Sequence, residues 1–95
     1  MKILNIPSAF EWDGGNIGKN FLEHGVPDSE CEEPFFDSGK RIYKDVIHSG
    51  QEARFILLGA TRQRRLLFIV FTVRKSAVRI ISARDLNKKE IKLIL

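Results

Sequence analysis

The sequence predicts an α+β domain: a small antiparallel sheet packed against two short N-terminal helices and one C-terminal helix. Three observations carry this reading. From Arg54 to Arg84 the chain alternates β-rich runs with short turns, the pattern of a three-stranded meander. The first third instead carries apolar residues at helical spacing, with glycine and proline stops. The final stretch opens on Asn87-x-x-Glu90, a helix-start signature. Helices segregated from a run of strands suit helices laid against one sheet. Ninety-five residues make one domain, spanning 1–95.

Taken in order, Ala9 to Trp12 reads as a short strand added to the sheet or an extended entry. Asp13-Gly14-Gly15-Asn16 is turn chemistry, with Asp13 or Asn16 as a helix cap. Ile17, Phe21 and His24 then fall on one helix face. Gly25 stands where a helix-ending glycine belongs, and Pro27 forbids continuation. A second helix restarts at Asp28 or Ser29, with Ser29-x-x-Glu32 as its capping box. Pro34 limits it, and Phe35 and Phe36 are expected core anchors. Residues 37–51 are polar with scattered apolar positions and read as an ordered loop containing one extended stretch. Arg65 to Arg74 is the strongest strand, apolar on both parities, as in a central strand covered on both faces. Lys75-Ser76-Ala77 turns the chain into a strand from Val78 to Arg84. The last helix has Ile91, Ile94 and Leu95 on one face.

Composition excludes several classes. Hydrophobic residues are 43% and charged residues 29%, which is globular rather than disordered. The longest apolar run, Leu66 to Phe71, is six residues, where a membrane helix needs about 20. The N-terminus lacks the apolar region and cleavage site of a secretory signal. Cys31, the one cysteine, forms no internal disulfide and suits a reducing cytoplasm. It stands in an acidic run that disfavours a nucleophilic thiolate. No cluster has zinc-ligand spacing, and no glycine-rich phosphate loop follows a strand, so neither metal nor cofactor is expected.

Charge is unevenly distributed. The net charge is +4, but residues 1–50 carry five Lys/Arg against nine Asp/Glu. Residues 51–95 carry eleven against three, seven of the eleven being arginine. Such asymmetry fits a polyanionic partner, or else a plainly solvated basic face. Arginines lie at the strand ends: Arg54, Arg65, Arg74, Arg79 and Arg84. Converging, they would form a phosphate surface of planar, permanently charged forks; singly, each only reaches for water. The acid–base candidates are His24, His48, Glu52, Lys19 and Asp45. Metal-independent RNA cleavage needs such types: one group takes the ribose 2′-hydroxyl proton, another protonates the leaving 5′-oxygen, and a cation stabilises the phosphorane. Glu52 and Arg54, two apart, would share a strand face and pair. His24, before a helix-ending glycine, also has a plain role at the helix dipole.

These residues form a longer pattern. Phe10-Glu11-Trp12-Asp13, Asn16, Lys19-Asn20 and His24-Gly25-Val26 open it. Glu30-Cys31-Glu32-Glu33 and Phe35-Phe36 follow, then Asp45, His48-Ser49, Glu52, Arg54-Phe55 and Gly59. Arg65-Leu66-Leu67, Phe71-Thr72, Arg79-Ile80-Ile81-Ser82-Ala83-Arg84 and Lys89-Glu90 close it. The whole resembles the BrnT family of toxins, from about Phe10 to Ile91. Glu23 stands where that family commonly has lysine, and Gln51 and Ala53 flank Glu52 in place of more polar residues.

The resemblance implies a RelE-like ribonuclease fold and a toxin that inhibits translation by cutting RNA without a metal. It implies a BrnA-type ribbon-helix-helix antitoxin, assembled with the toxin as a heterotetramer that binds operon DNA through the antitoxin. By matching position, it assigns phosphate contact and transition-state charge to Arg54, Arg74 and Arg84. His24 and Glu52 become the acid–base pair. Lys19, His48, Arg65 and Arg79 become RNA contacts. The competing reading is a non-catalytic module that uses the same surface to hold RNA or an acidic partner. A DNA-binding regulator is disfavoured, because no recognition helix is visible.

Overall fold

A computed structural model describes residues 7–94. Its elements are β1 (Ala9–Phe10), α1 (Lys19–His24), α2 (Asp28–Glu32), a 3-10 turn (Glu33–Phe36), β2 (Arg41–Asp45), β3 (Arg54–Ala60), β4 (Leu66–Arg74), β5 (Ala77–Asp85) and α3 (Lys88–Ile94). The strands form one sheet in the order β1-β5-β4-β3-β2. β1 pairs with β5 in parallel, and the other neighbours are antiparallel.

The α+β class stands, and β4 is central. The meander has four strands rather than three, because Arg41–Asp45 of the expected loop is strand β2, in register with β3. A polar edge strand has one apolar side at most, so its sequence carries little strand signal.

One sheet face packs against α1, α2 and the 3-10 turn. Phe55, Leu57, Leu67, Ile69, Phe71, Val78, Ile80 and Ala83 form its buried layer. Phe35 closes it, edge-on to Phe71 at 5.0 Å between ring centroids. Phe36, the other expected anchor, is mostly exposed, because a tight 3-10 turn cannot aim two successive side chains at one core. Gly59 lies beneath this turn, where a Cβ would stand 3.2 Å from the Pro34 Cβ.

The buried stripe near α1 is polar. Ile17 and Phe21 face outward, and Asn16 and Asn20 are buried in their place. The reason lies in β5. β1 covers only Ala77 and Val78, which leaves the rest of the β5 edge unpaired. Asn16 Nδ2 donates to the Ile80 carbonyl at 3.1 Å, and Asn20 Oδ1 accepts from the Ala83 amide at 3.0 Å. Two side-chain amides, one helical turn apart, thus supply the bonds of a missing strand.

Capping also departs from expectation. Gly18 precedes α1 and Pro27 precedes α2 as their N-caps, neither with a side-chain cap. Asp28 instead accepts from the Gly18 amide, and Glu32 accepts from the Trp12 indole at 2.6 Å. These acidic groups tie α2 to the first segment rather than to its own first turn. The box at α3 does form: Asn87 Oδ1 accepts from the Glu90 amide, and Glu90 Oε1 from the Asn87 amide. Leu95, expected on the α3 face, lies outside the described residues.

Candidate nucleic-acid interface

α3 covers only one end of the second sheet face, through Arg84–Glu90 and an Arg41 bond to the Leu93 carbonyl. The rest is open. Register places Asp45, Arg54, Thr72 and Arg79 in one row across it, and Arg41, Leu58, Phe68 and Arg84 in another. Alternation puts Arg74 on the same face as Thr72. Arg79 and Arg84 are five apart and would point oppositely in a regular strand. A β-bulge resolves this. Val70 pairs with Ser82 but Phe71 with Ile80, which leaves Ile81 as the extra residue. Four of the five candidate arginines therefore share one face.

Their surroundings differ. Arg74 grips Glu52 with two bonds, at 2.6 and 3.0 Å, and reaches Glu11 at 3.3 Å. Arg79 bonds the same Glu11 oxygen at 3.0 Å and both Asp13 oxygens. A side chain at Gly15 would strike it, since a Cβ there falls 2.8 Å from the Arg79 guanidinium. Arg84 lies 4.1 Å above the Phe68 ring and bonds both Glu90 oxygens at 2.8 Å. Glu11 and Asp13 of the acidic first half thus pair with Arg74 and Arg79 of the basic second half, while Glu52 and Glu90 are partners from the second half itself. Arg54 differs: it has no carboxylate within bonding distance among the described residues. Its charge nonetheless acts on both Asp45 and Glu52.

The β2–β3 loop brings acid–base groups beside Arg54. His48 Nδ1 lies 3.0 Å from Asp45 Oδ2, and the His48 amide donates to Asp45 Oδ1. The Asp45 side chain is 11% exposed and that of His48 is 68% exposed. Asp45 is therefore a seated anchor carrying an imidazole out to solvent. A carboxylate at Nδ1 holds the neutral ring's proton there and leaves the Nε2 lone pair free. Ser49 closes the loop: its hydroxyl donates to the Asp45 carbonyl and accepts from the Arg54 amide. Burial acts to raise the Asp45 carboxyl, but hydrogen bonds from His48 outweigh it and hold the group below its ordinary value. Hydrogen bonds from Arg74 likewise hold Glu52 low. Glu52 pairs with Arg74 and not, as its spacing predicts, with Arg54. It precedes β3, so strand alternation does not apply to it.

The other candidates lie elsewhere. His24 ends α1 on the helix side, its ring 3.7 Å from Glu23. Arg65 bonds Asp85 twice and reaches the carbonyls of Gly25 and His24, which fixes that corner. Arg65 and Arg74 bracket β4, so this corner is roughly 30 Å from the Arg74 end. Lys19 is exposed at the start of α1. Cys31 is wholly buried, and that burial pushes its thiol up to about 12. Such a thiol is inert at neutral pH. Among the described residues no three His, Cys, Asp or Glu side chains converge as metal ligands, and no helix is long and apolar enough to cross a membrane.

The open face can therefore bind phosphate and move protons at one edge. The sequence pattern of the ribonuclease toxin BrnT, of type II toxin–antitoxin systems, matches residues 12–90. No curated protein matches the chain. The matched stretch includes every arginine of the open face, the His48 loop and the Asn16–Asn20 edge, and on that match the chain belongs to the BrnT family of type II toxin–antitoxin ribonuclease toxins.

Proposed function

We propose that this toxin is a metal-independent endoribonuclease whose cleavage centre is the β2–β3 end of the open face. The observation that carries the proposal is Arg54. It is a guanidinium without a carboxylate partner among the described residues, in register beside the Asp45 that holds His48. Arg54 binds the scissile phosphate and meets the charge that builds on the phosphorane. His48 Nε2 takes the proton of the 2′-hydroxyl, which attacks phosphorus and expels the 5′-oxygen. The imidazolium, stabilised by Asp45, then returns a proton. The products are a 2′,3′-cyclic phosphate and a 5′-hydroxyl. Glu52, kept ionised by Arg74, has no proton to donate at neutral pH, so it positions Arg74 or assists as a base. Arg74, Arg79 and Arg84 line the path of the strand.

His24 is on another face, so the proposal gives the histidine role to His48. Lys19 and Arg65 lie on the helix side and contribute little to this centre. The family implies an antitoxin partner. We take it to be a BrnA-like ribbon-helix-helix protein that forms a heterotetramer with the toxin and carries the operon-DNA contact.

The test is cleavage of RNA by the antitoxin-free chain in EDTA, without ribosomes, with end-group analysis for cyclic phosphate. Arg54→Ala and His48→Ala are expected to lower the rate at least 100-fold with an unchanged thermal midpoint. His24→Ala is expected to retain it. Full cleavage by the first two variants overturns this centre. RNA binding without cleavage, with or without ribosomes, favours the non-catalytic reading.

A further inference from the structure

Beside the Arg54 row the open face turns apolar. Tyr43, Ile56, Leu58, Phe68, Glu90 and Leu93 line a pocket of about 320 Å³ between the sheet and α3. Leu58 forms a buried floor, while Tyr43 and Leu93 are 45% and 58% exposed. An exposed tyrosine facing an exposed leucine across an apolar floor is an unfilled slot for something flat.

Cations frame it. Arg54 is two residues from Ile56 on the same strand and face, roughly 7 Å away. Arg84 covers Phe68 from the other side. Arg41 anchors α3 by donating to the Leu93 carbonyl at 3.0 Å and keeps its charge at the rim. The one acidic lining group, Glu90, has its charge matched by Arg84. With Arg84 matched by Glu90, the charges of Arg54 and Arg41 remain at the rim, and a purely apolar partner gives no reason for them. A phosphate site alone gives no reason for its floor. Flat aromatic groups carried on a phosphate chain account for both.

We propose that this pocket receives a nucleobase of the RNA strand adjoining the phosphate held by Arg54, stacked on Tyr43. The pocket then sets which nucleotide flanks the cut, with Tyr43 and Leu93 as the specificity-determining residues. This rests on the ribonuclease reading of the open face.

The test uses the whole chain with methyl and aromatic NMR signals. The probes are a 2′-deoxy trinucleotide, which lacks the attacking hydroxyl, and the same molecule with an abasic central position. The base-bearing probe is expected to shift Ile56, Leu58, Leu93 and Tyr43 and to bind roughly tenfold tighter than the abasic one. Tyr43→Ala is expected to erase that difference and Tyr43→Phe to keep it, both with an unchanged thermal midpoint. Equal binding of the two probes, or shifts confined to the His48 loop, overturns the pocket. So does a pocket that ignores both probes but is protected by the antitoxin. The cleavage assay reports separately on catalysis: base-dependent binding without cleavage keeps the pocket and sinks the nuclease centre.

Discussion

The two ends of β4 each carry an arginine, and the molecule uses them differently. Arg65, at the helix-packed end, is 28% exposed and commits its donors to Asp85 and to two backbone carbonyls of the α1 terminus. Arg74, at the open end, is 46% exposed and touches carboxylates alone. Backbone carbonyls cannot leave, so Arg65 is a rivet. Exposed carboxylates exchange easily for other anions, which is what the proposed RNA contact asks of Arg74. Both arginines sit at strand ends and both are ion-paired; what separates them is that Arg65 also bonds backbone carbonyls and Arg74 does not.

Among tests of this contrast, the largest effects are expected from removing each arginine in turn. Arg74→Ala should lower RNA cleavage at least tenfold while the thermal midpoint moves much less than in Arg65→Ala, because its carboxylate pairs are exposed. Arg65→Ala should do the reverse, costing about 1–2 kcal/mol and lowering the midpoint by roughly 5–10 °C, with cleavage per folded molecule unchanged. A calorimetric scan beside the cleavage assay decides; equal losses of activity would dissolve the contrast. Also on the helix-packed side, Asn20→Ala strips the Ala83 amide of its acceptor inside the fold. About 2 kcal/mol should be lost, seen as a lower urea midpoint at constant slope.

Acid sharpens the comparison further. Asp85 is held low by hydrogen bonds from Arg65, Glu90 by Arg84, Asp13 by Arg79 and Glu52 by Arg74. Each folded value lies below the unfolded one near 4. The stabilisation is therefore complete above that value and lost as pH falls through the folded values. The thermal midpoint should be flat from neutrality to about pH 5 and fall below about pH 4. Arg65→Ala should flatten that fall, and a curve identical to the parent's would mean that Asp85 gains nothing from its partner.

The smallest effect concerns the hairpin after Arg74. Lys75 and Ser76 both have positive φ, 48° and 70°, where asparagine and glycine rest more easily. Lys75→Asn with Ser76→Gly should add up to about 1 kcal/mol and leave cleavage untouched, measured by the shift in midpoint.

Much of the fold was legible because it depended on local patterns. The Leu66–Arg74 run and the Asn87–Glu90 box need only neighbours a few residues away. Strand β2 was not, since Arg41–Asp45 carries little apolar signal for an edge. Nor was the polar stripe of α1: Asn16 and Asn20 face inward to serve β5, some sixty residues later. The site was half legible. Residue types and the arginine set stood out, but the shared face required the register. The proposed preference for His48 over His24 rests on the hairpin that closes Asp45 onto His48, which spacing does not reveal. The pairing of Glu52 with Arg74 spans 22 residues and leaves no trace in spacing.

The extra residue at Ile81 has a wider consequence. It acts as a phase shift within a period-two signal. Upstream of it odd positions point to the open face, and downstream even ones do. Were the strand to become regular at its present length, Arg79 and Arg84 would face opposite sides of the sheet; the bulge, not the spacing, puts both on the open one. Removing Ile81 would leave the two arginines four apart in a strictly alternating strand, with both still on the open face. The basic surface therefore tolerates loss of this residue but not loss of the bulge while the residue stays, and a strand one residue shorter here would present the same face without an irregularity.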